Sequence, residues 1–266
     1  MPKISPLASV DPAAGIADDV EIGPFCVVGP HVTIGPGCVL HNHVTIVNHT
    51  TLGRDNVLFP GVVLGGPPQD KKFNGEPTRL VVGDNNHFRE HVTMHIGTTA
   101  GGGVTRVGSN CLFMVNSHVG HDSRLGDNVI FANNVMISGH VVIHNNVNMG
   151  GGSGVRHNVT IGEFGFVTAL TRVTQDVPPF CIVDGANVIR GPNTVGLRRG
   201  GFSHDDIDAI DDACKRLFYY RTKPFSAAMA EFDTMNGINP NVKRLIDFLR
   251  MRDQGKQGRY LEGRKR

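Results

Sequence analysis

The sequence predicts a parallel β-helix that ends in a small α-helical domain. Three observations carry this. Aliphatic residues recur six apart without a break through Ile4, Val10, Ile16, Ile22, Val28, Ile34, Leu40, Ile46, Leu52, Leu58 and Leu64. The frame returns between Val107 and Val173, where every sixth position is again apolar, Phe113, Phe131 and Met149 included. From Ser203 onward the apolar residues change to helical spacing. Neither the 3.6-residue period of a helix nor the two-residue period of a strand generates a repeat of six, so the chain reads as a structural repeat before any local propensity is weighed.

Each hexad supplies a short strand and a turn, and three hexads close one triangular coil. Residue i then stacks on residue i+18 at the strand spacing of about 4.8 Å. The first residue of each hexad points inward, and the stacked rows form a continuous core. Gly23, Gly29, Gly35 and Gly53 follow that residue. Cys26, Cys38, Asn56 and Cys111 hold the fifth position, where a small packed residue is expected and not a reactive thiol. The frame breaks at Gly65, and residues 65–79, rich in turn formers and charges, are expected to leave the coil as a loop. It resumes at Val82, Phe88 and Met94, and breaks again over residues 98–106 around Gly101-Gly-Gly103. Loops leaving a rigid scaffold are where binding residues concentrate, although either could be a tolerated insertion.

Pro178-Pro179 is expected to end the β-helix at residue 179, because proline lacks a ladder donor. Residues 180–202 are read as a connection. Residues 203–266 are read as the helical domain. Ser203 is its expected N-cap, with Asp205 and Asp206 in the first turn and Lys215-Arg216 toward the end. Further helices are expected over residues 226–235, stopped by Asn236-Gly237, and from Pro240 onward. The tail holds Arg250, Arg252, Lys256, Arg259, Arg264, Lys265 and Arg266 against Asp253 and Glu262. It reads either as a solvated end or as a docking surface for an acidic partner.

Bulk properties narrow the function. The 266 residues carry a formal charge of +2, which gives no reason to expect nucleic acid. No signal peptide and no membrane-spanning run is visible. Five scattered cysteines without paired spacing fit a reducing compartment, so a cytoplasmic location is expected.

Thirteen histidines can be sorted by the coil. His121 and His157 are third in their hexads and 36 positions apart, so they share a column, and His140 lies one coil over and one residue along. His118, His121, His140 and His157 are therefore expected near one edge of the prism. Asp122 follows His121, and a carboxylate beside an imidazole can fix its tautomer and stabilise the imidazolium. Such a base suits deprotonation of a sugar or amine nucleophile. No serine or cysteine has an obvious activating partner, which favours direct acyl transfer over a covalent intermediate. A metal site is the competing reading, because neutral imidazoles are common zinc ligands. Gly150-Gly-Gly-Ser-Gly154 lies in the repeat frame with no helix after it and is not read as a phosphate loop.

Several segments together resemble one family. They are Gln69-Asp70 with Lys72, Gly75-Glu-Pro-Thr78, Arg89-Glu90, Thr93-Met-His95, Gly101-Gly-Gly103, Asn116-Ser-His-Val-Gly-His-Asp122, Ala132-Asn-Asn134, Gly139-His140, Gln175-Asp-Val-Pro-Pro179 and Gly196-Leu-Arg-Arg199. The chain resembles, over nearly its whole length, the UDP-N-acetylglucosamine O-acyltransferases that begin lipid A synthesis. The resemblance implies an all-β left-handed parallel β-helix, whereas the usual crossover rule favours the right hand. It implies a homotrimer with active sites in grooves between subunits. It implies His121 as general base for the sugar 3-hydroxyl, Asp122 as its orienting partner, and the Gly139 N–H as oxyanion donor. Asp70, Lys72, His95, His118 and His140 would bind the sugar nucleotide, and Asn193 and Arg199 would lie near the uridine. The donor would be a 3-hydroxyacyl chain on acyl carrier protein, an acidic protein. No cofactor and no metal is expected on this reading.

The chain departs from the family in three places. Arg156-His157-Asn158 stands where the family has His-Gln-Phe, so His157 is expected in the substrate groove. Val195 replaces a glutamate. Ala169 replaces a glycine of members that take longer acyl chains, and a side chain there would shorten the accepted chain. A related UDP-amino sugar, a metal-dependent trimeric β-helix hydratase and a non-catalytic paralogue remain alternatives.

Overall fold

The computed structural model describes residues 1–220, 223–235 and 237–263. Strands of two to four residues pair in parallel with the strands 18 positions on, as Lys3–Ile4 does with Glu21–Ile22 and Ser9–Val10 with Val27–Val28. Three sheets of 11, 9 and 8 strands result. Each coil visits the first, the second and the third in turn. The fold is a left-handed parallel β-helix with a helical C-terminal region.

From Phe25 onward, one residue in the left-handed backbone region turns most corners. Asn110, Asn116, Asp122, Asn128, Asn134, His140 and Asn146 recur six apart with φ between 57° and 61°. Asn, Asp and His tolerate that region better than other side chains, which gives the polar fourth residue of the hexad, three after the inward aliphatic, a backbone reason. The inward residues are buried from Ile22 onward, while at the open first coil Ile4 is exposed and Val10 and Ile16 are half-buried. Phe88, Phe113 and Phe131 stack within this core, with successive ring centroids 5.3 Å apart. Burying one such side chain stabilises the fold by about 1.5–3 kcal/mol. Cys26, Cys38 and Cys111 are buried and free.

The breaks fall close to the expected places, with shifted edges. Gly65 and Gly66 still belong to the strand Val63–Gly66, which pairs through a bulge with Thr93–His95, so the first loop spans residues 67–78. The second is shorter than expected, because Val104–Val107 is a strand of the third sheet. Pro178-Pro179 does not end the parallel stacking. Cys181–Asp184 pairs in parallel with Phe166–Val167, and Val188–Pro192 folds back antiparallel to close the first sheet. The prolines sit in a turn, where no ladder donor is needed. Residues 180–202 are thus a strand pair followed by a helix, not a plain connection.

Five α-helices follow among the described residues: α1 (Thr194–Arg199), α2 (His204–Cys214), which the π-helix Lys215–Tyr219 continues, α3 (Phe225–Glu231), α4 (Pro240–Asp253) and α5 (Tyr260–Gly263). Ser203 caps α2, its Oγ accepting the Asp206 N–H at 3.1 Å. Phe180, Cys181, Leu197, Ile210 and Leu245 form a second core that joins the helices to the last coil. No described helix is long and apolar enough to cross a membrane.

The tail is not a solvated end as far as residue 263. Arg259 is 2 % exposed and donates to the Thr174 carbonyl at 2.7 Å and to Glu262 at 2.7 Å. Asn236, Arg264, Lys265 and Arg266 lie outside the described residues.

Candidate active site

The corner between the second and third sheets carries two adjacent columns. His121, Gly139 and His157 form one, and Asp122, His140 and Asn158 form the other, each step being 18 residues. Asp122, with φ 61°, sits in the left-handed region. Two residues adjacent in a strand would point apart, but this turn brings both side chains to one side. His121 Nδ1 lies 2.8 Å from Asp122 Oδ2. A carboxylate acceptor holds the proton on Nδ1 and leaves Nε2 as the free base.

The glycine-rich loop holds the carboxylate. Asp122 Oδ1 accepts the Thr98 N–H at 2.8 Å and Oδ2 accepts the Thr98 hydroxyl at 2.7 Å. The Asp122 N–H donates to Thr105 Oγ1 at 2.7 Å. A Cβ at Gly101 would stand 2.0 Å from Asp122 Cγ, so only glycine allows this approach. Burial pushes the Asp122 carboxyl up, but the hydrogen bonds from His121 and Thr98 and the nearby His140 outweigh it and hold the carboxyl below its ordinary range. Asp122 therefore stays ionised.

Gln69, His95, His118, His121, Met136 and Gly139 line a groove of about 310 Å³ on the second sheet beside this corner. The His121 ring lies over Gly139, where a Cβ would be 2.7 Å from Cε1 and Nε2. The Gly139 N–H has no acceptor among the described residues. His118 Nδ1 is 2.8 Å from Thr93 Oγ1. Burial, with His95 and His121 adding to it, pushes the His118 imidazole down to about 4. Burial lowers His95 as well. Both rings therefore face the groove neutral, as uncharged hydrogen-bonding groups.

His121, Asp122, Gly139, His140, His118 and His95 come together, as expected. His140 stands edge-on to His121 with ring centroids 5.1 Å apart and its Nε2 3.7 Å from Asp122 Oδ2. Other expected residues lie elsewhere. His157 shares the column but faces the tail, its Nε2 3.5 Å from Glu262 Oε1, because the segment after α4 packs against that coil. Asp70 turns its carboxylate onto the Lys72 N–H at 3.0 Å, and of that loop Gln69 reaches the groove. Asn193 caps α1 and lines, with Arg199, a depression of about 460 Å³ on the first sheet. Ala169 is exposed at the corner between the first and second sheets. Thr98, Thr105 and Thr93 were not expected, and outside the repeat frame nothing singles out Thr98.

His121, Asp122 and His140 could together hold a metal ion, with ligand atoms within 4.8 Å of one another. Their shared atom, Asp122 Oδ2, is already engaged by Thr98 and His121, so an ion would have to displace a hydrogen bond.

The bacterial transferase hexapeptide family matches residues 13–48 and 105–139, and domain 2 of the UDP N-acetylglucosamine O-acyltransferases matches residues 176–258. Two relatives carry the name acyl-(acyl-carrier-protein)–UDP-N-acetylglucosamine O-acyltransferase. One, from Anaeromyxobacter, is 45% identical over 79% of this chain and 82% of its own length. The other, from Stenotrophomonas maltophilia, is 41% identical over 93% and 95%. The solved UDP-N-acetylglucosamine O-acyltransferase of Moraxella catarrhalis superposes with a TM-score of 0.86 at 38% identity, covering 92% of this chain and 95% of that one. The acyltransferase of Bacteroides fragilis gives 0.88 at 34% identity, covering 93% and 96%.

Proposed function

The chain belongs to the UDP-N-acetylglucosamine O-acyltransferase family and is an acyltransferase, and on that premise we propose that it moves a 3-hydroxyacyl chain from acyl carrier protein to the 3-hydroxyl of UDP-N-acetylglucosamine, with His121 as the base. This is the first step of lipid A synthesis. The single observation that carries the reading is the His121–Asp122 pair at 2.8 Å, opening onto a groove that contains the Gly139 N–H.

His121 Nε2 takes the proton from the sugar 3-hydroxyl as its oxygen attacks the thioester carbonyl. Asp122 stabilises the imidazolium. The Gly139 N–H donates a hydrogen bond to the oxyanion that forms. Collapse breaks the carbon–sulfur bond, and the imidazolium returns its proton to the departing thiolate. His95, His118 and His140 supply neutral or edge-on rings around the acceptor sugar, with Asp70 and Lys72 on the loop above.

Asn193 and Arg199 lie on the first sheet, whereas His121 opens onto the second. Within one chain they cannot share a ligand. A second copy presenting its first sheet to this groove joins them, which favours a homotrimer with its sites between subunits. Ala169 then limits the acyl groove. The five free, buried cysteines fit a cytoplasmic enzyme.

The test is the mass of the product formed from UDP-N-acetylglucosamine and a mixture of acyl carrier protein thioesters, repeated with the 3-amino sugar. An O-acylated sugar nucleotide is expected, and its mass also gives the chain length. Acylation of the amino sugar alone would overturn the choice of acceptor.

A further inference from the structure

The third sheet carries an unbalanced positive face beside the active-site corner. Arg106 and Arg124 stand directly opposite each other as partners in parallel strands, and both are exposed. Arg79 is exposed on the neighbouring strand, whose Val81 pairs with Arg106. Arg106 and Arg124 line a shallow depression of about 440 Å³ with His144 and with Arg244 of α4. Glu163 is the acidic residue of that lining, and it is ion-paired to Arg244. Neither Arg106 nor Arg124 makes an ion pair among the described residues. Like charges directly opposed in a sheet are destabilising, so the fold gains nothing from this pair.

The tail differs. Arg250 is paired with Asp233, Arg252 with Asp253, and Arg259 is buried against Glu262. The arginines of the described tail are thus each paired and Lys256 alone is left there, whereas Arg79, Arg106 and Arg124 stand together on one face without an ion pair among the described residues. That face is also well placed. Arg124 follows Asp122 by two residues, so the patch forms the outer lip of the corner that carries His121. In the homotrimer proposed above, where the first sheet of one copy faces the second sheet of the next, the third sheet is the one turned outward.

We infer that Arg79, Arg106 and Arg124 form the surface on which an acidic acyl carrier protein docks to deliver its thioester to the groove. The inference rests on the function proposed above. Charge complementarity selects the occupant: an acidic protein neutralises a stacked arginine pair that nothing in the chain neutralises.

The test compares the full-length protein with R106Q/R124Q. Binding of fluorescently labelled holo-acyl carrier protein is measured across a salt series, together with transfer from acyl carrier protein and from an acyl-pantetheine thioester. About tenfold weaker carrier binding is expected, with a flatter salt dependence. KM for the carrier-borne donor should rise while kcat and transfer from acyl-pantetheine hold. Equal carrier affinity in the two proteins overturns the inference, and so does loss of acyl-pantetheine transfer, which would mean a damaged site. Loss of binding to phosphatidylglycerol vesicles with carrier binding intact would also overturn it and assign the patch to a membrane surface. If wild type fails to acylate UDP-N-acetylglucosamine while the difference in carrier binding persists, the proposed reaction fails and the docking surface stands.

Discussion

His121 and His157 occupy one column of the prism, two coils apart, yet they meet different chemistry. Beside His121 stands Asp122, and beside His157 stands Asn158, with φ of 61° and 62°, so the backbone offers both pairs the same projection. His121 opens onto a groove, while His157 meets Glu262 of the tail. The carboxylates of the column differ in the same way. Asp122 has an imidazole on one oxygen and is held low. Asp176, one coil beyond Asn158, accepts the N–H groups of Thr160 and Tyr260 at 2.7 Å and 2.8 Å, but has no imidazole, and burial pushes it up to about 6. A repeat decides where a side chain projects. What it does depends on which excursion covers it: the loop through Thr98 leaves one end open, and the tail through Arg259 closes the other.

Substituting the two carboxylates should separate these roles most sharply. Asp122→Asn removes the charge that orients and stabilises His121, and a fall in kcat of about 10²–10⁴-fold is expected. Asp176→Asn should leave kcat unchanged and instead loosen the tail, read as faster proteolysis between residues 253 and 263. A large kcat loss from Asp176→Asn would erase the distinction between the two ends.

Gly139→Ala comes next. Its Cβ would displace the His121 ring, and a misplacement on the order of 1 Å costs about 10²-fold in rate. Steady-state kinetics beside a thermal melt would show whether the loss is catalytic. Thr98→Val removes the hydroxyl donor to buried Asp122 and should cost about 1–3 kcal/mol of stability. Denaturant unfolding measures it, and an unchanged midpoint would mean that the loop does not hold the corner.

The smallest effect is a pH slope. His118 is held at about 4 in the fold, below its ordinary 6.5. The unfolded chain therefore binds more protons between those values, and stability rises with pH across that window and is lost as pH falls through it. His118→Asn should flatten the melting temperature between pH 6.5 and 4 relative to wild type.

Much of this was legible in the chain before any coordinates. The aliphatics at every sixth position define the core rows, and the 18-residue coil brings His118, His121 and His140 to one corner, while Gly139 came with the family resemblance. The hand of the coil was not readable from the period, because the crossover rule favours the other hand, and it came with the family resemblance. What lay beyond the period was harder. Thr98 sits outside the frame, so no arithmetic connects it to Asp122, 24 residues on. The tail reaches back across 85 residues, from Arg259 to Thr174, a contact that no local pattern encodes. Coil arithmetic and the family position of the groove glutamine therefore both pointed His157 into the site, and neither registers the tail that meets it. Pro178-Pro179 misled for a related reason: a missing donor ends a strand but costs nothing at a corner.

The most direct measurement is kcat for transfer from acyl carrier protein to UDP-N-acetylglucosamine by His121→Ala and His157→Ala, purified and assayed together. His121→Ala should lose about 10²–10⁴-fold while melting normally, and His157→Ala should stay close to wild type. Near-normal turnover by His121→Ala, or an equal loss in both, would contradict the assignment of the base.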